Sequence, residues 1–379
     1  MTWRYRAATL ALVLASTGLS KAASYAVVPL GTLGGDWSAG FGLSEDGAVV
    51  GASALPAGTP WAFSAWGGAI TRLEAPPGAT TARARGINSG GLVAGTSWVG
   101  GVPRATLWRD GSAELIGPAG ASYATAVNEI GRVAGNYVTA SGQGRAFLYA
   151  PDGWVDIGAQ WGVAWSAAYA LNDSGAVVGY GEISPGVFRA FVYSPDGTVT
   201  VFGTFGGRSS YAFAVNERGD VAGHASLPGG RTHAFLYRDG VMIDLGTLGG
   251  GSSFAYGIND AGDVVGWSWT ASARRRAFLY RDGRLLDLND LITPSAGWEL
   301  AEAYAINNRG QITGAGYWRG RRMAFLLDPP GEASGLRPTE NPEPSTWILV
   351  AAGLGLLVLG RGRRRARRPR NDNGSQPLE

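Results

Sequence analysis

Apolar residues in this chain come in short alternating runs cut by Gly, Asn and Asp, and the same order of runs recurs. Residues 252–290 are the plainest copy. SSFAYGIND, AGDVVGWSW, RRAFLYRDG and RLLDLND each carry a period-two or β-branched pattern and end at a turn residue, the signature of short strands. Each copy is anchored by Asn-x-x-Gly, at Asn88, Asn128, Asn172, Asn216, Asn259 and Asn307, with Ser44 opening a degenerate first copy. That tetrapeptide suits a type I turn followed by a glycine at positive φ, and so a hairpin. Asp152-Gly153, Asp196-Gly197, Asp239-Gly240 and Asp282-Gly283 supply a second hairpin in their copies.

Anchor-to-anchor steps are 44, 40, 44, 44, 43 and 48 residues. Four strands in about 40–45 residues is the period of a propeller blade. The expected fold is therefore all-β: a seven-bladed β-propeller of four-stranded antiparallel blades over residues 23–335. Seven residues after each anchor stands another glycine, from Gly51 to Gly314, and an alanine follows, with phenylalanine after it in every copy but Ala105-Thr106. The residue before the anchor is always aliphatic. Two positions earlier it is mostly aromatic, as in Phe41, Tyr169, Phe213, Tyr256 and Tyr304, and these rings are expected in the core between stacked sheets.

The two ends of the array complement each other. The seventh copy runs from its third strand into GEASGLRPTE, which has no strand pattern, while residues 26–35, AVVPLGTLGG, match the fourth-strand segment VMIDLGTLGG at 241–250. The N-terminal strand is thus expected to complete the last blade, removing two exposed sheet edges.

Sixty-one glycines among 379 residues, with no long helical periodicity, fit that reading. The chain has no cysteine, which excludes disulfides and thiolate metal sites. Residues 1–22 have a basic start, an apolar stretch and small residues before Ala23, and read as a secretory signal peptide. At the other end, a linker (336–345) leads to an apolar segment (346–360) and an arginine-rich tail (361–379). The segment is expected to be a single short helix, a marginal membrane anchor with its arginines on the cytoplasmic side.

Pro342-Glu343-Pro344, then that apolar segment, then the cluster with Arg363, Arg364 and Arg365, resembles the bacterial PEP-CTERM sorting signal. The resemblance implies processing by an exosortase as a partner during sorting. It also implies release to the surface or extracellular matrix of a Gram-negative, exopolysaccharide-producing bacterium. A generic stop-transfer helix is the alternative for this segment. The repeats themselves, with His233-Ala234-Phe235 and the IND-x-G-x-VVG strings, resemble the HAF family of extracellular repeats, which implies no established activity.

The overall formal charge of +3 comes from the termini: residues 23–341 carry 22 arginines against 26 carboxylates. Nucleic-acid binding is therefore not expected. Catalytic chemistry is sparse. His224 and His233, the two histidines, lie in one copy at positions filled by other residue types elsewhere, which suits structural roles. Turn carboxylates such as Asp173, Asp260 and Asp263 suit capping of backbone N–H groups. No cofactor is expected; calcium on turn oxygens stays open, although no EF-hand loop is present.

A binding face is the favoured reading. The loops between second and third strands and the connectors between copies should share one side, carrying Trp37, Trp98, Trp161, Trp165 and Trp318. Two arginine clusters, Arg274–Arg275–Arg276 and Arg319–Arg321–Arg322, should lie on neighbouring blades there. Aromatic platforms beside guanidinium forks suit an acidic exopolysaccharide; the same residues also suit sealing of blade junctions and a solvated rim. The reading is a non-enzymatic exported binding or structural module. The alternative is a secreted glycoside hydrolase or lyase on the same scaffold, with Asp36, Glu182 and Glu299 as carboxylates off the repeat pattern.

Overall fold

The computed structural model describes residues 24–293 and 297–331; the segments assigned above to a signal peptide, linker, sorting helix and tail (1–22 and 336–379) lie outside them. The described chain is all-β, with one short α-helix at Ile157–Trp161 and a 3-10 turn at Leu288–Asp290. Its strands group into four-stranded antiparallel sheets in chain order, such as Ser122–Val127, Val133–Val138, Gly144–Ala150 and Gly153–Asp156 in the third repeat. The sheets of repeats five and six share a single parallel bridge, Thr232 with Ser252. In the seventh repeat the strands Trp298–Ile306, Ile312–Trp318 and Arg321–Asp328 take Ala26–Gly31 as their fourth neighbour, in the register Ala26 to Asp328 and Val28 to Leu326.

Local chemistry accounts for the turns. In the third repeat Gly131 sits at φ 82°, and its N–H donates to the Asn128 carbonyl at 3.1 Å. Asp239 and Asp282 take φ 51° and 52° ahead of their glycines, the two successive positive φ values of a tight hairpin turn. The alanine-phenylalanine pairs form the core between sheets: Phe63, Phe147, Phe191, Phe235, Phe278 and Phe325 are fully enclosed, each contributing about 1.5–3 kcal/mol of burial.

Every first strand carries a register shift at the same place, between Gly40 and Gly42, Ala84 and Gly86, Ala124 and Ala126, Ala168 and Ala170, Ala212 and Ala214, Ala255 and Gly257, and Ala303 and Ala305. The residue inside the shift is Phe41, Arg85, Thr125, Tyr169, Phe213, Tyr256 or Tyr304. A bulge inserts one residue and re-aims its side chain. This corrects the expectation for the aromatic column: those rings are half-buried and line a cavity rather than filling the core between sheets. Opposite each bulge stands the glycine seven residues after the anchor. A methyl group on Gly179 would come 1.8 Å from the Ala167 carbonyl oxygen, and one on Gly266 1.9 Å from that of Phe254.

Neighbouring sheets are stitched by the anchors themselves. The Asn128 Oδ1 accepts from Arg132 N within its own turn at 2.8 Å, while its Nδ2 donates to the Asn172 carbonyl of the next repeat at 3.1 Å. The same cross-link joins Asn88 to Asn128, Asn172 to Asn216, Asn216 to Asn259, Asn259 to Asn307, and Asn307 to Ser44. One residue on, each backbone N–H donates to a side chain of the following repeat, as Glu129 N does to Asp173 Oδ1 at 2.7 Å and Glu217 N to Asp260 Oδ1 at 2.9 Å. A buried serine adds a third link: Ala146 N donates to Ser166 Oγ, Ala190 N to Ser210 Oγ, and Ala324 N to Ser38 Oγ, at 2.9–3.0 Å.

Candidate functional site: a cavity lined by every repeat

The seven bulge residues converge on one cavity of 680 Å³. Five rings form a continuous arc at its inner end. Tyr169 meets Phe213 at 4.6 Å between centroids, Phe213 meets Tyr256 at 5.3 Å, Tyr256 meets Tyr304 at 5.5 Å, and Tyr304 meets Phe41 at 5.3 Å. The Arg85 guanidinium completes the arc, 4.8 Å over the Phe41 ring. Thr125, the small member of the set, turns its hydroxyl to the Ala134 and Ala168 carbonyls.

Above this girdle the walls are Arg83, Trp98, Tyr123, Asn136, Tyr137 and Trp165. Asn136 is held by Ala168, accepting from its N–H at 2.7 Å and donating to its carbonyl at 3.2 Å. Tyr137 donates to Asp156 Oδ2 at 2.6 Å, and desolvation, then that carboxylate, push its pKa up to about 12. Trp165 stacks on Tyr180 at 5.5 Å.

Among the described residues no carboxylate lines the cavity, and neither Arg83 nor Arg85 has an ion-pair partner. Arg83 packs 5.7 Å from the Trp98 ring. Arg85 lines the cavity and is exposed to it. Desolvation, then the like charge of Arg83, lower its pKa, but an arginine remains a cation throughout the physiological range. Both guanidinium groups are solvent-exposed within the cavity, so an anion entering here meets two cations that no carboxylate of the protein engages.

Of the expected face residues, Trp165 lies in this cavity, as does Trp98. Trp161, on the short helix, packs on Phe191 at 5.1 Å and against Gly181. Trp37 is half-buried, its carbonyl accepting from Ala54 N, and Trp318 stacks on Trp298 at 6.3 Å.

The arginine clusters meet at a second cavity of 470 Å³, lined by Arg274, Arg275, Glu299, Glu302, Tyr317 and Arg322. Glu302, almost fully buried, binds Arg275 with one oxygen and Arg322 at 2.7 Å with the other. Arg276 pairs with Glu299 at 3.5 Å, Arg321 donates to the Gly35 carbonyl at 3.1 Å, and Arg319 lies over Trp318 at 4.9 Å. Most of that positive charge is thus already engaged within the protein.

The carboxylates named for catalysis stand apart in the chain and have separate partners. Glu182 accepts from Gly186 N in its own turn, Glu299 holds Arg276, and Asp36 is exposed. His233 pairs with Asp244 at 2.9 Å. His224 lies against Tyr211, Phe213 and Phe254 with its Nδ1 unpartnered, and desolvation lowers its pKa to about 3. Among the described residues no group of three or more His, Cys, Asp or Glu is placed to hold a metal ion.

Arg83 and Arg85 escaped the reading of the sequence. A signal was present: in the column three residues before the anchor, Arg85 is the one charged residue among rings and a threonine.

Sheets of this form around a common cavity define a β-propeller scaffold. Among solved structures the chain is similar to the β-propeller domain of the Trilobed protease from Pyrococcus furiosus, whose topology is described as open velcro. The identity is 12%, over 77% of this chain and 96% of that one, with a TM-score of 0.52. A lectin from Burkholderia pseudomallei (10% identity, 78% and 96% covered, TM-score 0.42) and a gluconolactonase from Xanthomonas campestris (14%, 80% and 92%, 0.37) are more distant in shape. No family model and no curated protein matches the chain.

Proposed function

We propose that this protein is a seven-bladed propeller, closed by its own N-terminal strand, that acts outside the cell as a non-enzymatic binding module for an acidic saccharide held in the central cavity. The ring reading rests on the pairing of Ala26–Gly31 with Arg321–Asp328 and on the Asn307 to Ser44 link. Export rests on the signal-like residues 1–22 and on the PEP-CTERM-like run at Pro342–Arg368, which makes an exosortase the processing partner. The HAF-like repeats agree with an extracellular setting.

The observation that carries the binding reading is that Arg83 and Arg85 line an aromatic cavity in which, among the described residues, no carboxylate pairs with them. Guanidinium forks bind carboxylates bidentately, and Trp and Tyr faces stack on the apolar faces of sugar rings. The lining offers no acid for general acid catalysis, which favours retention over hydrolysis.

Calorimetric titration of the mature protein with trigalacturonate tests this. Binding is expected for the wild type, with at least a tenfold loss in Arg85→Gln and no change in Arg274→Ala. Equal binding by wild type and Arg85→Gln overturns the assignment of the cavity.

A further inference from the structure

We infer that the cavity captures the end of an acidic chain and does not recognise the interior of a polymer lying across its mouth. This inference rests on the saccharide reading above and adds the mode of recognition.

The lining of the cavity runs from the bulge residues outward to Val138, Gly144 and Trp165, and no residue of the anchor turns contributes to it. The inner end is the girdle, where Tyr169, Phe213, Tyr256, Tyr304 and Phe41 contact one another and Arg85 lies against Phe41. Beyond the girdle, one residue past each anchor, comes a belt carrying Glu45, Glu129, Asp173, Glu217 and Asp260, laced from repeat to repeat by backbone N–H donors. These carboxylates feel one another: after burial, the charges of Asp260 and Glu129 raise the pKa of Glu45. An anionic chain that passed the rings would meet that negative belt. Threading is therefore disfavoured twice, by the narrowing at the rings and by charge.

Depth decides the rest. Trp165 stands four residues before Tyr169, immediately ahead of the strand Ser166–Leu171, so the girdle lies roughly 13 Å below the level of Trp165 at about 3.3 Å per residue. A sugar in the middle of a polymer reaches Arg85 only if both of its linkages follow it down, whereas a terminal sugar descends with one. Arg83, two residues nearer the mouth on Ala79–Ile87, then meets the next acidic unit. The volume suits a short oligomer, being within the range of about 300–1,000 Å³ usual for ligand pockets.

The test is competitive displacement of fluorescent trigalacturonate from the mature protein. The competitors are intact polygalacturonate and the same mass of it hydrolysed to short oligomers. Capture of ends predicts that potency per unit mass rises in proportion to the number of ends created, and that Arg83→Gln weakens trigalacturonate more than galacturonate monomer. Potency that follows mass alone overturns this inference and leaves the saccharide reading standing. Absence of wild-type binding to every probe overturns both, and a melting curve for each variant separates loss of binding from loss of fold.

Discussion

The side-chain amide of Asn307 donates to the main-chain carbonyl of Ser44 at 3.0 Å, across 263 residues of sequence. Six such links run from repeat to repeat, and the remaining step, from Ser44 to Asn88, lacks one because serine has no amide to donate. The residue that shapes each hairpin therefore also fastens it to the next sheet.

Substitution at these anchors should report on that second role. Asn172→Ala removes the bond to the Asn216 carbonyl and the one from Ala176 N, both buried, and should cost about 1–3 kcal/mol in denaturant unfolding. Ser44→Asn supplies the absent link and should raise stability by about 1 kcal/mol. A lower melting temperature for Ser44→Asn would contradict the ladder.

Leu30 is almost fully buried with Val49, Phe63 and Ala324. Leu30→Ala should destabilise by about 2–4 kcal/mol. Removal of residues 24–31 should expose the edge of Arg321–Asp328 and give a concentration-dependent loss of soluble monomer by light scattering.

Gly179→Ala places a methyl group against the backbone carbonyl of Ala167. Backbone cannot rotate away as a side chain can, so a loss of at least about 3 kcal/mol is expected. Gly58→Ala, which meets no atom within 4 Å, is strained only by its φ of 82° and should cost much less.

Acid should weaken the fold through His224. Its pKa is lowered in the folded state to about 3, by desolvation, while the unfolded chain protonates near the ordinary value of 6.5. Its contribution is complete above about pH 6.5 and declines as pH falls toward 3, by about 1.4 kcal/mol per unit. His224→Phe keeps the aromatic contacts and should flatten urea-unfolding stability against pH in that window. Glu45 and Glu217 act oppositely: their pKa values are raised, chiefly by burial, so they favour the fold as pH drops through the carboxylate range. An unchanged slope in His224→Phe would remove histidine from the account.

Much of the fold was legible because its determinants are local. Asn-x-x-Gly, Asp-Gly and period-two runs each encode a turn or strand within a few residues, and the match between residues 26–35 and 241–250 pointed to the partner of the last sheet. The bulge was not legible. Strict alternation put Phe41, Tyr169 and Tyr304 on the same face as Leu43, Leu171 and Ile306, and a single inserted residue per strand sends them to the cavity instead. The paired state of Arg275 and Arg322 was hidden for a related reason: Glu302 stands 27 and 20 residues away from them, and only the packing of sheets six and seven brings it between them.

The sequence alone determined the repeat, its turns, its strands and the complementarity of its two ends, since these depend on backbone conformational preference and on hydrophobic pattern over short range. Tertiary structure decided which side chains face the cavity, which arginines are neutralised and which are left free. Those outcomes depend on distances between strands that the chain brings together from opposite ends of its length.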